Sequence, residues 1–574
     1  MQITGGFSGD ELKSMGMQHN GPIAGIAVHG NHIATAGYCN QLILWDAQNH
    51  TAVARANHDH IVNQCAFNSN GTLLVSASGD YSARVWEVPS LRLKALLADH
   101  EDDVDMAVFS PDDQFIATCA LDRCVRVFDL NGQCLHTMRG HTGNVLSLAW
   151  SLDGKLLVSS SVDGTVREWD TETGEVIKIT NIQVRTDSVA MDKQGRIWAG
   201  DDRGRIAGIV NGNATYTPAH EAGIKKIVLA SEQNILVTLS YDRCLAVWKI
   251  SEDGTVKEIN RSICPAEIWA RAAAILSDNH VVVGTFGSTY AIFDWHTGVW
   301  DLTGVAASRA IDAVLCVEGD VYTVGDAGIV ECNGQPHAAM GSLCNFLVTV
   351  GHRLLTGGQM GELFDAHTGE SIYQHQSPLN CATSFMRHGQ AHVAIGTYTG
   401  EILVFALQND STLKLVTMLH AFENAVKGLA ASETTLFSVC ASTEIAWHSL
   451  DDFSLQKNLC SAHERIANAC VFMGNNSFAS VGRDKVLRIW SELGFQFHTT
   501  PHNHSVKCIA INTDNSIIMT GSYTGTVAAF DLHARQWLPI QRPTTSGISS
   551  LCWDAVHNQF LAASYDGNVY PVNP

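Results

Sequence analysis

Again and again this chain closes a β-rich run on Trp or Phe, often with Asp next. The runs read QLILWD (41–46), SARVWE (82–87), CVRVFD (124–129), TVREWD (165–170), CLAVWK (244–249), YAIFD (290–294), ELFD (362–365), EILVF (401–405), TEIAW (443–447), VLRIW (486–490) and TVAAFD (526–531). Weaker members sit near 205–210, 327–332 and 568–572, which makes fourteen. Trp45, Trp86, Phe128, Trp169, Trp248 and Phe293 fall about 40 residues apart, with one skipped unit near Ile209. A fixed period of that length marks a repeat architecture, in which no unit buries its apolar face alone.

Each unit shares one internal grammar, clearest in the fourth. GHTGNVLSLAW (140–150) is followed by a turn at 151–155, LLVSSSVDG (156–164) and TVREWD (165–170). Apolar runs rich in Val, Leu and Ile, parted by Asp-Gly and Asn-Gly turns, predict short antiparallel strands joined by hairpins. No stretch carries a sustained 3.6-residue apolar stripe, so helices are expected to be scarce. Four strands per unit, GH near the start and WD near the end, resemble the WD-repeat family throughout. The resemblance implies an all-β chain in which each repeat forms one blade of a β-propeller.

It also implies a buried network in which His, Ser or Thr, Asp and Trp tie a blade's entry loop to its inner strands. Four units match fully: His58–Ser76–Asp80–Trp86, His141–Ser159–Asp163–Trp169, His220–Thr238–Asp242–Trp248 and His463–Ser480–Asp484–Trp490. Buried Asp and His are tolerable only when paired, and an indole supplies one terminal donor. Unit three keeps His100, Thr118 and Asp122 but ends in Phe128, which cannot donate. Unit one has Cys39, and unit thirteen Thr524, where Asp is expected.

The anchors from Trp45 to Phe293 make seven units, and those from about Val330 to Tyr570 make seven more. Closed rings commonly hold four to eight blades, so two seven-bladed propellers in tandem are expected, residues 18–304 and 305–574. The last unit stops at NVYPVNP (568–574), one strand short, while ELKSMGM (11–17) has no blade of its own. Residues 1–17 are therefore expected to supply an outer strand that closes a propeller, in the last blade or in blade seven.

The chain carries 36 Lys and Arg against 57 Asp and Glu, a net charge of −21, and no Lys/Arg-rich run. That balance argues against direct nucleic-acid binding and against an anionic membrane surface. The N-terminus lacks a charged lead with an apolar core, and no apolar run could span a bilayer. The expected place is the cytosol, or the nucleus in a eukaryote. None of the 16 cysteines forms a Cys-x-x-Cys pair. Cys65, Cys119, Cys316, Cys470 and Cys508 read as small buried hydrophobes. The pairs His58/His60 and His502/His504 and the acidic loop 99–105 are the only metal-like groupings. Structural roles are expected for the histidines and a solvated entry loop for the acids. No P-loop, G-x-S-x-G or H-E-x-x-H is present, so no catalytic, metal or cofactor site is expected.

In the WD-repeat family the residue just before the blade Asp tends to lie on the top rim of the ring, where partners often bind. The corresponding positions here hold Tyr38, Tyr241 and Phe286 in the first half and Tyr398, Arg483, Tyr523 and Tyr565 in the second. Other units place Gly79, Leu121 and Val162 there. Tyr and Arg dominate binding hot spots because they bury much area for few rotors lost. The function expected is a non-catalytic scaffold or adaptor in a multi-protein complex, presenting these faces to proteins or peptides. Two alternatives are an accessory subunit of an RNA-processing or RNA-modifying assembly and, less well supported, a propeller enzyme with a cofactor in its channel.

Overall fold

The computed structural model describes residues 17–265, 267–277, 279–305, 309–491 and 494–574. The described chain is all β, with no α-helix. It forms fourteen antiparallel sheets, thirteen of four strands and a last one of three. Within every sheet the strands follow chain order, so each sheet is an up-and-down meander. Blade four shows the plan, with strands Val145–Trp150, Leu156–Ser161, Thr165–Asp170 and Val176–Asn181. Its second hairpin turns at Asp163–Gly164, where Gly164 takes φ +74° and the Asp163 carboxylate accepts the Thr165 amide at 2.9 Å. That left-handed turn position is why Gly follows Asp there.

The chain divides into two compact units, Met1–Ser308 and Arg309–Pro574, each with seven blades. In each unit the first strands of successive blades are neighbours all the way round, so both rings are closed. Closure is apolar in both. In the first unit, Ile26, Ile33 and Trp45 of blade one pack on Ala272, Val282 and Tyr290 of blade seven. In the second, Ile311 and Val314 of blade eight pack on Leu561 and Ala563 of blade fourteen. The entering chain adds a stitch, since His19 and Ser288 of blade seven exchange backbone hydrogen bonds at 2.8 and 2.7 Å. The closing strand expected from residues 1–17 falls, but for Met17, outside the described residues; blade seven has its own fourth strand, Val299–Asp301.

The core lies between blades rather than within them. Val75 and Val85 of blade two, for example, pack against Ala107, Phe109 and Phe128 of blade three. The recurrent aromatic anchors fill these seams: Phe128, Phe293, Phe405, Phe530 and Trp169 are all fully buried. Each contributes about 1.5–3 kcal/mol of apolar burial that a lone blade could not supply.

Candidate functional site

The four His–Ser/Thr–Asp–Trp sets are continuous hydrogen-bonded chains. In blade two the Trp86 indole donates to Ser76 Oγ at 2.7 Å, Ser76 reaches His58 Nε2 at 2.7 Å, and His58 Nδ1 reaches Asp80 at 2.9 Å. Blade four repeats this with 2.8 Å at all three links. Blade six gives 2.9, 2.8 and 2.9 Å, and blade twelve 2.8, 2.7 and 3.0 Å. An ionised carboxylate only accepts, so Nδ1 carries the proton and Nε2 accepts from the hydroxyl. Every link therefore points the same way, from indole to carboxylate, and the links polarise one another. Burial would raise the Asp80 carboxyl, but the bonds from His58 and Ser82 and the charge of Arg84 outweigh it and hold it well below its usual range.

The departing blades satisfy the same groups with other atoms. In blade one His19, which the sequence reading did not single out, lies 3.0 Å from Cys39 Sγ and 2.7 Å from Thr35, which accepts from Trp45 at 2.7 Å. Its spacing of 26 residues before Trp45, against 28 for His58 and Trp86, was the available signal. Burial lowers His19 to about 3 and raises Cys39 to about 11, so the pair is neutral thiol against neutral imidazole. In blade three Arg126 enters the chain, donating to His100 Nδ1 at 3.0 Å and to Asp122 at 2.7 Å. In blade thirteen Thr526, not Thr524, meets His502 Nδ1 at 2.8 Å. Blade five substitutes a local pair, with Arg196 and Trp198 both donating to Asp192.

The metal-like groupings resolve into structure. His58 belongs to its chain, and His60 is buried over Gly79, where an added Cβ would come within 2.3 Å of its ring. His502 sits in its own network, and His504 accepts the Ser505 amide at 2.7 Å. In the 99–105 loop Asp103 is buried rather than solvated. Among the described residues no three His, Cys, Asp or Glu are placed to hold a metal ion. All sixteen cysteines are free thiols; Cys65, Cys119 and Cys508 are buried, Cys316 and Cys470 half-buried.

The rim positions share one backbone register. In each of the fourteen blades the residue after the second strand donates its amide to the carbonyl just before the first strand; examples are Tyr38 to Pro22, Tyr241 to Gly223, Tyr398 to Pro378, Arg483 to Ile466 and Tyr565 to Gly547. All therefore stand at the end of the blade where the inner strand begins. Tyr38, Tyr241, Tyr398, Arg483, Tyr523 and Tyr565 are half-buried. Phe286 is not available for contact: it is 5 % exposed and lies against Trp269.

A second set of positions at this end is invisible in the sequence. The second residue of the inner strand is bulged out of register in every blade except the seventh, where the irregularity runs over several residues. A bulge re-aims its side chain out of the sheet. Here several such side chains form a belt, each donating to the carbonyl that precedes the next blade's bulge. Asn345 reaches Leu379 at 2.7 Å, Asn380 reaches Val426 at 2.5 Å, Asn468 reaches Val506 at 2.7 Å, and Ser549 closes the second ring on Ile311 at 2.5 Å.

Charged residues at these positions differ between the rings. In the first, Lys225 pairs with Asp187 at 2.8 Å and Asp202 at 2.5 Å, and Arg185 pairs with Asp187 at 2.8 Å. Burial would strip Lys225 of its proton, but the two carboxylates hold it charged. In the second, Lys427 lies over the Tyr398 ring at 4.9 Å and Lys507 over Tyr523 at 5.9 Å. Burial, then repulsion from Lys507, lowers Lys427 to about 8. Tyr523 and Tyr565 hold Lys507 above its usual range against burial. Asp312, at the bulge of blade eight, is pushed up to about 6 by burial.

The family model for the WD domain, G-beta repeat, matches residues 52–87, 92–129, 132–170 and 495–531. Each match starts in, or just before, the outer strand of one blade and ends in the third strand of the next, so the sequence repeat straddles the seam between blades. The target of rapamycin complex subunit wat1 of Schizosaccharomyces pombe is 29 % identical over 189 residues, 32 % of this chain and 60 % of that protein. Transducin beta-like protein 3 of Homo sapiens is 33 % identical over 260 residues, 40 % of this chain and 32 % of its own length. Nuclear distribution protein nudF of Emericella nidulans is 28 % identical over 172 residues, 26 % of this chain and 39 % of its own. The chain thus spans between about a third and three-fifths of the curated relatives it matches.

Proposed function

We propose that this chain, a WD-repeat protein, is a non-catalytic scaffold or adaptor that holds protein or peptide partners on the rims of its rings. The observation that carries this reading is the mouth of the second ring. There Tyr398, Arg483, Tyr523 and Tyr565, fixed in one backbone register, gather side chains suited to a hot spot at a single end of the blades. The relatives' names agree in kind, since wat1 is by name a subunit of a complex. The acidic charge favours a protein partner over a nucleic acid, whose phosphates need Lys and Arg to displace counterions.

The test is capture of a partner by the chain carrying Tyr398→Ala, Arg483→Ala, Tyr523→Ala and Tyr565→Ala together. Partner affinity is expected to fall at least about 100-fold while the melting temperature holds. Undiminished capture would sink this assignment of the face.

A further inference from the structure

Lys225 and Lys507 are the same position in the two rings, the bulge of the sixth blade, and their surroundings are opposite in charge. In the first ring the preceding blade places Asp187 at its bulge and Asp202 at its rim, and both pair with Lys225. In the second the same two places hold Asn468 and Arg483. One carboxylate has become an amide that is spent on the Val506 carbonyl, and the other has become a cation. A further cation, Lys427, stands at the bulge of blade eleven. No hydrogen bond or ion pair joins Lys427 or Lys507 to a described residue; Lys427 lies over the Tyr398 ring and Lys507 over that of Tyr523, with Tyr565 and Asp312 also acting on Lys507.

We propose that the mouth of the second ring is an anion-recognition site, in which Lys427 and Lys507, flanked by Tyr398 and Tyr523, take the carboxylate or phosphate-monoester side chain of a partner peptide. The proposal rests on the scaffold reading above and names the chemistry it selects. Burial and repulsion from Lys507 both disfavour the charge on Lys427, and an anion that joins the two ammonium groups would relieve them. Beyond burial, Lys507 and Arg483 repel the Lys427 charge, and Tyr523 and Cys381 offset them only in part. Asp312 attracts Lys507 from blade eight; burial lifts its carboxyl only to about 6 and it is shared with Asp326, so near pH 8 one carboxylate stands against two ammonium groups. An anion entering the mouth would meet paired point charges with an aromatic wall on either side. Around this site the unit is acidic, with 13 Lys and Arg against 22 Asp and Glu over residues 309–574, which disfavours an extended polyanion and favours one compact charge on a peptide.

The test reads Lys427 directly on the intact chain. Pulse acetylation at pH about 8, resolved by mass spectrometry, compares Lys427 with exposed Lys414. The probes are N-acetyl-phosphoserine amide, N-acetyl-glutamate amide and the neutral N-acetyl-serine amide. At least one anionic probe is expected to slow Lys427 roughly fivefold or more, the loss of free amine when its pKa rises by about a unit, with Lys414 unchanged. Whichever anion protects identifies phosphate or carboxylate as the ligand group. Lys507→Met should abolish most of that protection without lowering the melting temperature, because it relieves repulsion. Equal protection by the neutral probe, or none by either anion, overturns the proposal. Protection without any partner capture would leave the anion site standing and remove the scaffold reading; capture that survives Lys427→Met and Lys507→Met would do the reverse.

Discussion

A hydroxyl, an imidazole, a carboxylate and an indole form the smallest unit that decides this fold locally, and each is useful only in the right direction of donation. Ser159 takes the Trp169 proton and gives its own to His141, so removing it orphans two buried groups at once. Ser159→Ala is expected to cost roughly 2–4 kcal/mol by chemical denaturation. Cys39 offers the reverse experiment. The amides of Asn20 and Gln41 already face its sulfur, and His19 lies 3.0 Å away, so a carboxylate there would find its acceptors' partners in place. Cys39→Asp should stabilise the first unit by about 1 kcal/mol, and a loss of stability would show that the pocket is shaped for the thiol. Four of these chains were legible because the residue types recur at fixed spacing. The roles of Arg126 and Thr526 were not, because a donor can be supplied by any side chain that reaches, and reach is a property of three dimensions.

Strands and turns carry the next level. The alternation of β-branched runs with Asp-Gly and Asn-Gly turns determines where each hairpin folds, and the fourteen sheets follow the sequence runs closely. The bulge at the second residue of the inner strand leaves no such mark, since Asn63, Leu146, Asp187 and Lys427 share no chemistry. Its function is evident only from the belt it builds. Asn380→Ala removes the donor to the Val426 carbonyl, a bond that joins blade ten to blade eleven. About 1–2 kcal/mol should be lost, with the deficit shared by Asn468→Ala, which breaks the equivalent link further round. Thermal unfolding of the two single variants and the double checks whether the belt acts additively.

Across the molecule the buried histidines couple stability to acidity. His19 and His100 are lowered to about 3 and His502 to about 4, in each case chiefly by burial. The unfolded chain binds these protons near pH 6.5 while the folded chain refuses them. Stability is therefore full above about pH 6.5 and is lost as pH falls toward the folded values, by about 1.4 kcal/mol per pH unit for each group. Melting temperatures followed from pH about 7 to 4 should decline steeply, and His502→Gln should flatten the decline by one proton's worth. An unchanged slope would mean that His502 is protonated in the folded ring.

By itself the sequence determined the repeat, the strands, the turns and most of the buried chains, because period, turn chemistry and residue type are local and survive in one dimension. It also determined which residues stand after each second strand, and so nominated Tyr398 and Tyr523. Only the tertiary structure decided what those tyrosines stand beside. Lys507 is 109 residues from Tyr398 in the chain, and the replacement by Asn468 and Arg483 of the two carboxylates that pair with Lys225 is visible only when the sixth blade of one ring is compared with the sixth blade of the other. Charge compensation depends on distance in space, which the order of residues does not encode.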